Sequence, residues 1–287
     1  MTSPLISATE LAAWIDSAEP DQRPSLVDVR WKLGHSGAGN RGDYLAGHLP
    51  GASFLDLETG LSGPVGPGGH GGRHPMPSLS AASDAFRAAG IDQDRPVVFY
   101  DAASSLGAAR AWWVLSYFGH RNIRVLDGGL AAWTKAGYAV ETGPVEVARG
   151  NLALSPGHRA LREASDFIDG VEVGSLIDAR PAPRFRGETE PIDHTAGHIP
   201  GAVSLPTLNT VADDGRFLDR ETLREMFSAA GIAQGPVSTY CGSGVQAAHL
   251  ALALEASGHD GEAAVYVGSW SDWISDPSRP IASGAAG

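Results

Sequence analysis

The feature that most constrains this chain is that its two halves repeat each other. The run Leu-Val-Asp-Val-Arg at 26–30 is echoed by Leu-Ile-Asp-Ala-Arg at 176–180. Likewise, Gly-His-Leu-Pro-Gly-Ala at 47–52 returns as Gly-His-Ile-Pro-Gly-Ala at 197–202. Both pairs are offset by the same 150 residues, which chance matches rarely share. Solenoid units are only about 20–50 residues long, so this period predicts two domains with one fold.

Each copy alternates short apolar runs with helical patterns, which predicts an α/β fold. Strands that are apolar throughout are typical of parallel sheets covered by helices on both faces. We therefore expect two tandem domains, each with a central, mostly parallel sheet flanked by helices. The predicted strands include 25–29, 97–100 and 124–126, and the predicted helices are 81–89, 108–118, 130–136, 220–230 and 245–257.

The repeats also suggest where the domains begin and end. We predict a domain at 1–143, a linker rich in Gly and Pro at 144–160, and a second domain at 161–287. The stretch 60–77, here called the Gly-rich loop, has seven glycines and four prolines. That composition predicts a long loop without regular structure, and such a loop is either disordered or functional.

Charge and composition limit the classes of partner. The formal net charge is −12, from 33 acidic and 21 basic residues, so neither nucleic acid nor an anionic membrane is expected as the main partner. A small anionic substrate remains compatible, because one local site can be positive. No apolar run approaches 18 residues, and residues 1–10 lack the pattern of a secretory signal, which predicts a cytoplasmic protein.

The chain has one cysteine, Cys241, which excludes an internal disulfide and any site with several thiolate ligands. We therefore expect no metal and no organic cofactor. Cys241 directly follows an apolar run and precedes Gly242 and Gly244, with a helical pattern from Val245. Ligands bind at such carboxyl ends of parallel strands, and N–H groups at a helix start stabilise a thiolate. A buried filler cysteine needs neither feature, so a nucleophile is favoured.

Such a thiolate can attack phosphorus, carbon or sulfur. Cysteine phosphatases have an arginine six positions after the nucleophile, where this chain has Ala247, so a phosphatase is disfavoured. An acyl-transfer enzyme needs a base, and His249 lies within the helix without evident reach. Sulfur transfer fits best, because it requires one thiolate and donors that stabilise a persulfide.

These residues resemble the tandem-domain rhodanese family of sulfurtransferases. The resemblance extends from about Leu5 to Trp273 and is carried by Asp-x-Arg, by Gly-His-[Leu/Ile]-Pro-Gly-Ala, by the cysteine segment and by Gly-Ser-Trp at 268–270. It implies two similar α/β domains, of which only the C-terminal one is catalytic. Asp101, in the first copy, stands at the position that Cys241 has in the second.

The segment Cys-Gly-Ser-Gly-Val at 241–245 looks like the 3-mercaptopyruvate sulfurtransferase branch of that family. The thiosulfate branch typically has Arg-Lys after the cysteine, so a neutral loop suits a less charged donor. The resemblance implies that Arg184 binds the substrate carboxylate. A second family arginine is absent near Ile192, and we expect Arg186 to be a substitute. Backbone N–H groups are expected to bind the persulfide or the donor, and they belong to Gly242, Gly244, Val245 and Gln246, the last replacing a usual threonine.

The same resemblance implies a proton relay of Ser243, His74 and Glu58. The alternative for His74 is a structural anchor of the Gly-rich loop. His48 and His198 occur in both copies, including the inactive one, and are therefore expected to stabilise turns.

The sequence thus predicts a sulfurtransferase that moves sulfur from 3-mercaptopyruvate or thiosulfate, through a Cys241 persulfide, to cyanide, a small thiol or a thioredoxin-like acceptor. One alternative is a rhodanese that prefers thiosulfate. An alternative of another class is a sulfur carrier or binding module without catalytic turnover.

Overall fold

The fold is built from two five-stranded parallel sheets. The computed structural model describes residues 3–35, 37–168, 174–232 and 234–285. Each sheet has helices between successive strands, so the predicted fold class, two α/β domains with central parallel sheets, is confirmed. Within the described residues, no helix is both long enough and apolar enough to span a bilayer.

The first sheet has the strand order β1-β5-β4-β2-β3, with all neighbours parallel. Its strands are β1 (Leu5–Ile6), β2 (Ser25–Asp28), β3 (Ser53–Phe54), β4 (Val97–Tyr100) and β5 (Ile123–Leu126). Its helices are α1 (Ala8–Ser17), α2 (Gly37–Ala46), α3 (Leu57–Gly60), α4 (Leu79–Ala88), α5 (Leu106–Tyr117) and α6 (Gly129–Lys135).

The second sheet repeats this topology as β6-β10-β9-β7-β8, again parallel throughout. Its strands are β6 (Leu161–Arg162), β7 (Ser175–Asp178), β8 (Val203–Ser204), β9 (Val237–Tyr240) and β10 (Ala263–Tyr266). The helices are α7 (Ala182–Phe185), α8 (Arg220–Ala229), α9 (Val245–Ser257) and α10 (Ser269–Trp273), with 3-10 turns at Ala164–Phe167 and Thr207–Thr210.

The core of each unit lies on both faces of its sheet. All four residues of β4 and of β9 are buried, as expected for central strands that have helices on both sides. The predicted helices agree with the observed ones to within about two residues. For example, α4 begins at Leu79 rather than 81, because the Ser78 hydroxyl accepts a hydrogen bond from the N–H of Ala81 and caps the helix.

The repeated Asp-x-Arg motif joins two turns in each unit. Arg180 pairs with Asp178 at 2.6 Å, and both side chains are fully buried. The same guanidinium donates to the carbonyl of Gly197 at 2.6 Å, so it links the end of β7 to the second Gly-His motif. In the first unit, Arg30 makes the equivalent bond to the carbonyl of Gly47 at 2.8 Å. A buried charge is tolerated only when paired and hydrogen-bonded, which explains why both residues of the motif are present in each copy.

The two histidines of the repeat make local contacts. Both ring nitrogens of His48 lie 2.9 Å from carbonyl oxygens, those of Leu49 and Gly143. His198 lies 2.8 Å from the Phe185 carbonyl and stacks on the Phe185 ring at 3.7 Å. Such local contacts are typical of side chains that stabilise a turn.

The two compact units are not continuous stretches of chain. One comprises the described residues of Met1–Gly63, Pro77–His158 and Val211–Phe217. The other comprises those of Pro64–Met76, Arg159–Thr210 and Leu218–Gly287. Most of the Gly-rich loop therefore belongs to the second unit. The prediction that the Gly-rich loop has no regular structure is wrong at two places. Gly60 is the last residue of α3, and a short 3-10 turn forms at Pro67–Gly69, where Gly68 takes a φ of +68°.

Candidate active site

Cys241 lies at the carboxyl end of β9, immediately before α9. Its Sγ accepts hydrogen bonds from the N–H of Ser243 at 3.4 Å and from the N–H of Gly244 at 3.1 Å. Gly244 has a φ of +83°, a conformation that glycine adopts without the penalty of a side chain. The residue Cys241 is only 1% exposed, so few other groups compete for its sulfur. Residues 241–244 are called the cysteine loop below.

The orientation of the Ser243 N–H group is determined by the segment after β10. The N–H of Trp270 donates to the carbonyl of Cys241 at 2.9 Å, and the N–H of Ser271 donates to that of Gly242 at 3.1 Å. In a trans peptide the C=O and N–H point in opposite directions. Since the Gly242 carbonyl points to Ser271, the N–H of Ser243 in the same peptide points away from it, toward the sulfur.

Ser269 contacts the cysteine directly but was not singled out by the sequence reasoning, although it lies in the Gly-Ser-Trp motif at 268–270. Its Oγ accepts from the N–H of Cys241 at 3.1 Å and donates to the carbonyl of Tyr266 at 2.8 Å. A hydroxyl has one proton, so the 3.9 Å contact with Cys241 Sγ is secondary. Ser269 has a φ of +56°, which costs about 1–2 kcal/mol outside glycine. The signal that could have found it is the first copy, where Gly129 stands at the position of Ser269 and has a φ of +53°.

The Gly-rich loop brings His74 to the cysteine loop. His74 Nδ1 and Ser243 Oγ are hydrogen-bonded at 2.8 Å, and both residues are buried. The Gly-rich loop packs so closely against the segment after β10 that a Cβ added at Gly72 would lie 2.2 Å from the carbonyl oxygen of Gly268. Neighbouring bonds fix it further, because the N–H of Gly71 donates to Asp272 at 2.7 Å. The structure therefore brings together two of the three predicted relay residues.

Glu58, the third predicted relay residue, lies in α3 of the first unit. There its carboxylate accepts a hydrogen bond from the indole N–H of Trp31 at 2.7 Å. Its participation in the relay stays a prediction.

Arg184 lies in α7 and is buried among carboxylates. Its guanidinium is 2.7 Å from Glu190 and 2.9 Å from Asp193. Burial alone would raise the pKa of Glu190, but hydrogen bonds from Arg184 and from backbone N–H groups keep that pKa below its ordinary value. Arg184 also lies close to the cysteine loop, since a Cβ added at Gly242 would be 3.6 Å from its Nη1.

Arg73 is the second residue that the sequence reasoning did not assign. A Cβ added at Gly242 would lie 2.7 Å from Arg73 Nη2, and Arg73 forms an ion pair with Asp193. Arg186, the expected substitute for the missing arginine, directs its guanidinium to Glu188 at 2.7 and 2.8 Å instead. Val245 and Gln246 form the first turn of α9, where N–H groups lack partners within the helix.

The first copy offers a direct comparison, because Asp101 follows β4 as Cys241 follows β9. Its carboxylate accepts hydrogen bonds from the N–H groups of Ala103, Ser105 and Gly107 at 3.0–3.1 Å. Burial raises the pKa of Asp101 even though these three N–H groups oppose that shift. The loop that surrounds a thiol in the second copy therefore surrounds a carboxylate in the first.

Comparisons with known proteins agree with this geometry. Residues 7–136 and 161–276 each match the Rhodanese-like domain family. A putative thiosulfate sulfurtransferase SseB from Mycobacterium tuberculosis is 45% identical over 98% of both chains. A probable 3-mercaptopyruvate sulfurtransferase from Pseudomonas aeruginosa is 42% identical over 98% of both chains. The crystal structure of SseA from Escherichia coli matches with a TM-score of 0.80 and 32% identity, covering 94% of this chain and 99% of that one.

The chain therefore belongs to the rhodanese family, as a sulfurtransferase with two tandem domains. The resemblance found in the sequence is confirmed, and so is the prediction of an enzyme that transfers sulfur. Within the described ranges, no three His, Cys, Asp or Glu side chains gather as a metal site.

The contact between Gly244 and the thiol leads to a first prediction. Gly244→Ala strains a residue at positive φ and displaces one N–H from the sulfur. We expect labelling of Cys241 by methyl methanethiosulfonate to slow about tenfold, since a hydrogen bond to a charged group contributes about 1.5–3 kcal/mol. Intact-mass kinetics measure the rate without ambiguity, because the chain has one thiol.

The matched control is Gly231→Ala. Gly231 follows α8, has a φ of +80° and has open space where the Cβ would be placed. The Gly231→Ala substitution therefore introduces the same backbone strain away from the thiol. Equal labelling rates in the two variants would show that the Gly244 N–H does not activate the sulfur.

Proposed function

We propose that Cys241 takes a sulfur atom from 3-mercaptopyruvate or thiosulfate, stores it as a persulfide, and transfers it to a nucleophilic acceptor. The observation that carries the proposal is the pair of N–H groups, from Ser243 and Gly244, directed at Cys241 Sγ. Such donors stabilise a thiolate before the reaction and the terminal sulfur of a persulfide after it.

With 3-mercaptopyruvate, the thiolate of Cys241 attacks the donor sulfur, forming an S–S bond while the donor C–S bond breaks. The electron pair of that bond stays on carbon, giving the enolate of pyruvate. The donor's thiol proton is delivered to this carbon, so the products are pyruvate and the anionic persulfide. With thiosulfate, the leaving group is sulfite and no proton is needed.

The hydrogen bond between Ser243 and His74 suits the proton transfer in the first of these reactions. Imidazole exchanges protons near neutral pH, and a serine hydroxyl can accept one proton while it donates another. We propose that this pair carries the donor's proton, with Glu58 as the third member of the relay. The alternative, in which His74 only anchors the Gly-rich loop, predicts a loss of stability without a donor dependence.

In the second half of the cycle, the acceptor attacks the outer sulfur of the persulfide. Cyanide leaves as thiocyanate, a thiol acceptor leaves as a persulfide, and Cys241 is returned as a thiolate. We propose a small thiol or a thioredoxin-like protein in the cytoplasm as the natural acceptor.

We further propose residues 1–143 as a non-catalytic domain, 144–160 as a linker and 161–287 as the catalytic domain. Arg184 and Arg186 are proposed to contact the donor, with the backbone of Gly242, Gly244, Val245 and Gln246.

The second prediction concerns the nucleophile. Cys241→Ser should abolish turnover with both donors, because a serine hydroxyl is neither ionised nor a sulfur nucleophile at neutral pH. Wild-type protein treated with either donor should gain the mass of one sulfur atom, and treatment with cyanide should remove it. Intact-mass spectrometry measures both changes.

The same experiment tests the alternative of a sulfur carrier. A carrier gains one sulfur but does not turn over when the acceptor is supplied in excess. Multiple turnovers of thiocyanate or pyruvate per Cys241 exclude that alternative. Wild-type protein that never gains the sulfur would overturn the proposed function itself.

The third prediction concerns donor preference. The relatives named above carry different donors in their names, and the neutral residues after Cys241 favour the 3-mercaptopyruvate branch. We expect kcat/KM for 3-mercaptopyruvate to exceed kcat/KM for thiosulfate in steady-state assays with cyanide as the common acceptor. The opposite order would support a thiosulfate-preferring rhodanese.

The fourth prediction tests the relay. Ser243→Ala removes the hydroxyl bonded to His74 and keeps the backbone N–H at the sulfur. We expect kcat with 3-mercaptopyruvate to fall about 100-fold, the scale of general acid–base catalysis, and kcat with thiosulfate to change little. Glu58→Gln should show the same donor dependence if Glu58 belongs to the relay. Equal losses with both donors would assign Ser243 and His74 a structural role.

A further inference from the structure

Two guanidinium groups lie beside the backbone of Gly242, directly after the nucleophile. They belong to Arg73, from the Gly-rich loop, and to Arg184, from α7; both residues are in the second unit. Arg73 is held there by its own backbone, since its N–H donates to Ser271 Oγ at 3.1 Å. The space that a side chain at position 242 would occupy is thus taken by the Arg73 guanidinium, and the Arg184 guanidinium lies in van der Waals contact with it.

A single carboxylate bridges these two arginines. One oxygen of Asp193 accepts from Arg73, and the other accepts from Arg184 at 2.9 Å. The Asp193 side chain is only 6% exposed, and its backbone N–H donates to Glu190 at 3.1 Å, which fixes the turn that presents it. Asp193 therefore engages both guanidinium groups as the carboxylate of a small ligand would.

We propose that Arg73 is the second anion-binding arginine of this enzyme, and that the donor's anionic group displaces Asp193 from Arg73 and Arg184. This inference rests on the proposed function for its substrate. Two arginines are a natural partner for one carboxylate or sulfonate, because each guanidinium presents a fork of N–H donors. Arg73 thereby acts as a specificity-determining residue, and Asp193 as an internal competitor that sets how strongly an anion must bind.

The charges of Arg73, Arg184, Glu190 and Asp193 support the exchange of Asp193 for the donor's anionic group. Glu190 and Asp193 balance Arg184 and Arg73, so a donor that replaced neither carboxylate would add an unpaired negative charge to a site in which all but Arg73 are buried. Exchange of one carboxylate for another keeps the charge at the two guanidinium groups constant, and it requires the released Asp193 carboxylate to rotate into water. Among the two, Asp193 is the one that contacts both arginines near Gly242, whereas Glu190 also lies 3.4 Å from Arg180.

The fifth prediction uses two thiol reagents that differ in charge. Cys241 is labelled with uncharged methyl methanethiosulfonate and with anionic 2-sulfonatoethyl methanethiosulfonate, and the ratio of the two rates is measured by intact mass. Arg73→Gln should lower the rate with the anionic reagent about tenfold and leave the uncharged rate within about twofold. Asp193→Asn should raise the anionic rate, because it removes the competing charge.

The control and the rival residue are tested in the same assay. Arg224→Gln removes an exposed positive charge from α8 and should leave the ratio unchanged, so it corrects for net charge. A ratio that falls in Arg186→Gln and not in Arg73→Gln would assign the second arginine to Arg186 and overturn the proposal. Equal slowing with both reagents in Arg73→Gln would also overturn it, since it would show only a disturbed loop.

Steady-state kinetics give a second, independent measurement. Arg73→Gln should raise KM for 3-mercaptopyruvate and the inhibition constant of pyruvate about tenfold, with kcat within about twofold. Because the labelling ratio does not involve sulfur transfer, its outcome is separate from the persulfide test. A protein that forms no persulfide but shows the charge-dependent ratio would refute the proposed function and keep the anion site.

Discussion

The constraint on which the site depends is the orientation of two peptide groups in the cysteine loop. The segment after β10 binds the carbonyls of Cys241 and Gly242, and the N–H group that follows Gly242 must then face the sulfur. Ser269 makes this possible by taking a left-handed conformation and bonding the N–H of Cys241. The same segment receives the Gly-rich loop at Gly72, where only glycine fits. Cys241, His74 and Arg73 are thus positioned by one short stretch of backbone.

Much of this architecture could be read from the sequence, because the relevant signals are local or repeated. The shared offset of the motifs predicted two domains, and the apolar run before Cys241 predicted a thiol at the end of a parallel strand. Arg73 and Asp193 could not be found in this way, since they are 120 residues apart and meet only through the fold. Ser269 was missed for another reason, because a serine does not by itself indicate a positive φ and only its alignment with Gly129 points to one.

The site also shows that the charge around Cys241 cannot be judged from the residues next to it in the sequence. The residues that follow Cys241 are neutral, and the sequence therefore suggested a donor of low charge. In the structure, Arg73 and Arg184 lie against Gly242, and the absence of a side chain there leaves room for the Arg73 guanidinium. Carboxylates from the segment after α7 balance them. The electrostatic character of the cysteine loop is set by residues outside it.

The two copies of the fold also differ in the side chain that lies at the end of the central strand. In the first copy the Asp101 carboxylate occupies the loop permanently, bonded by three N–H groups. In the second, the occupant is the only thiol among the 287 residues. A sulfur carried on Cys241 has no partner cysteine in this chain with which to close a disulfide. The stored sulfur can be discharged only by another molecule, and an oxidised Cys241 likewise depends on an outside reductant.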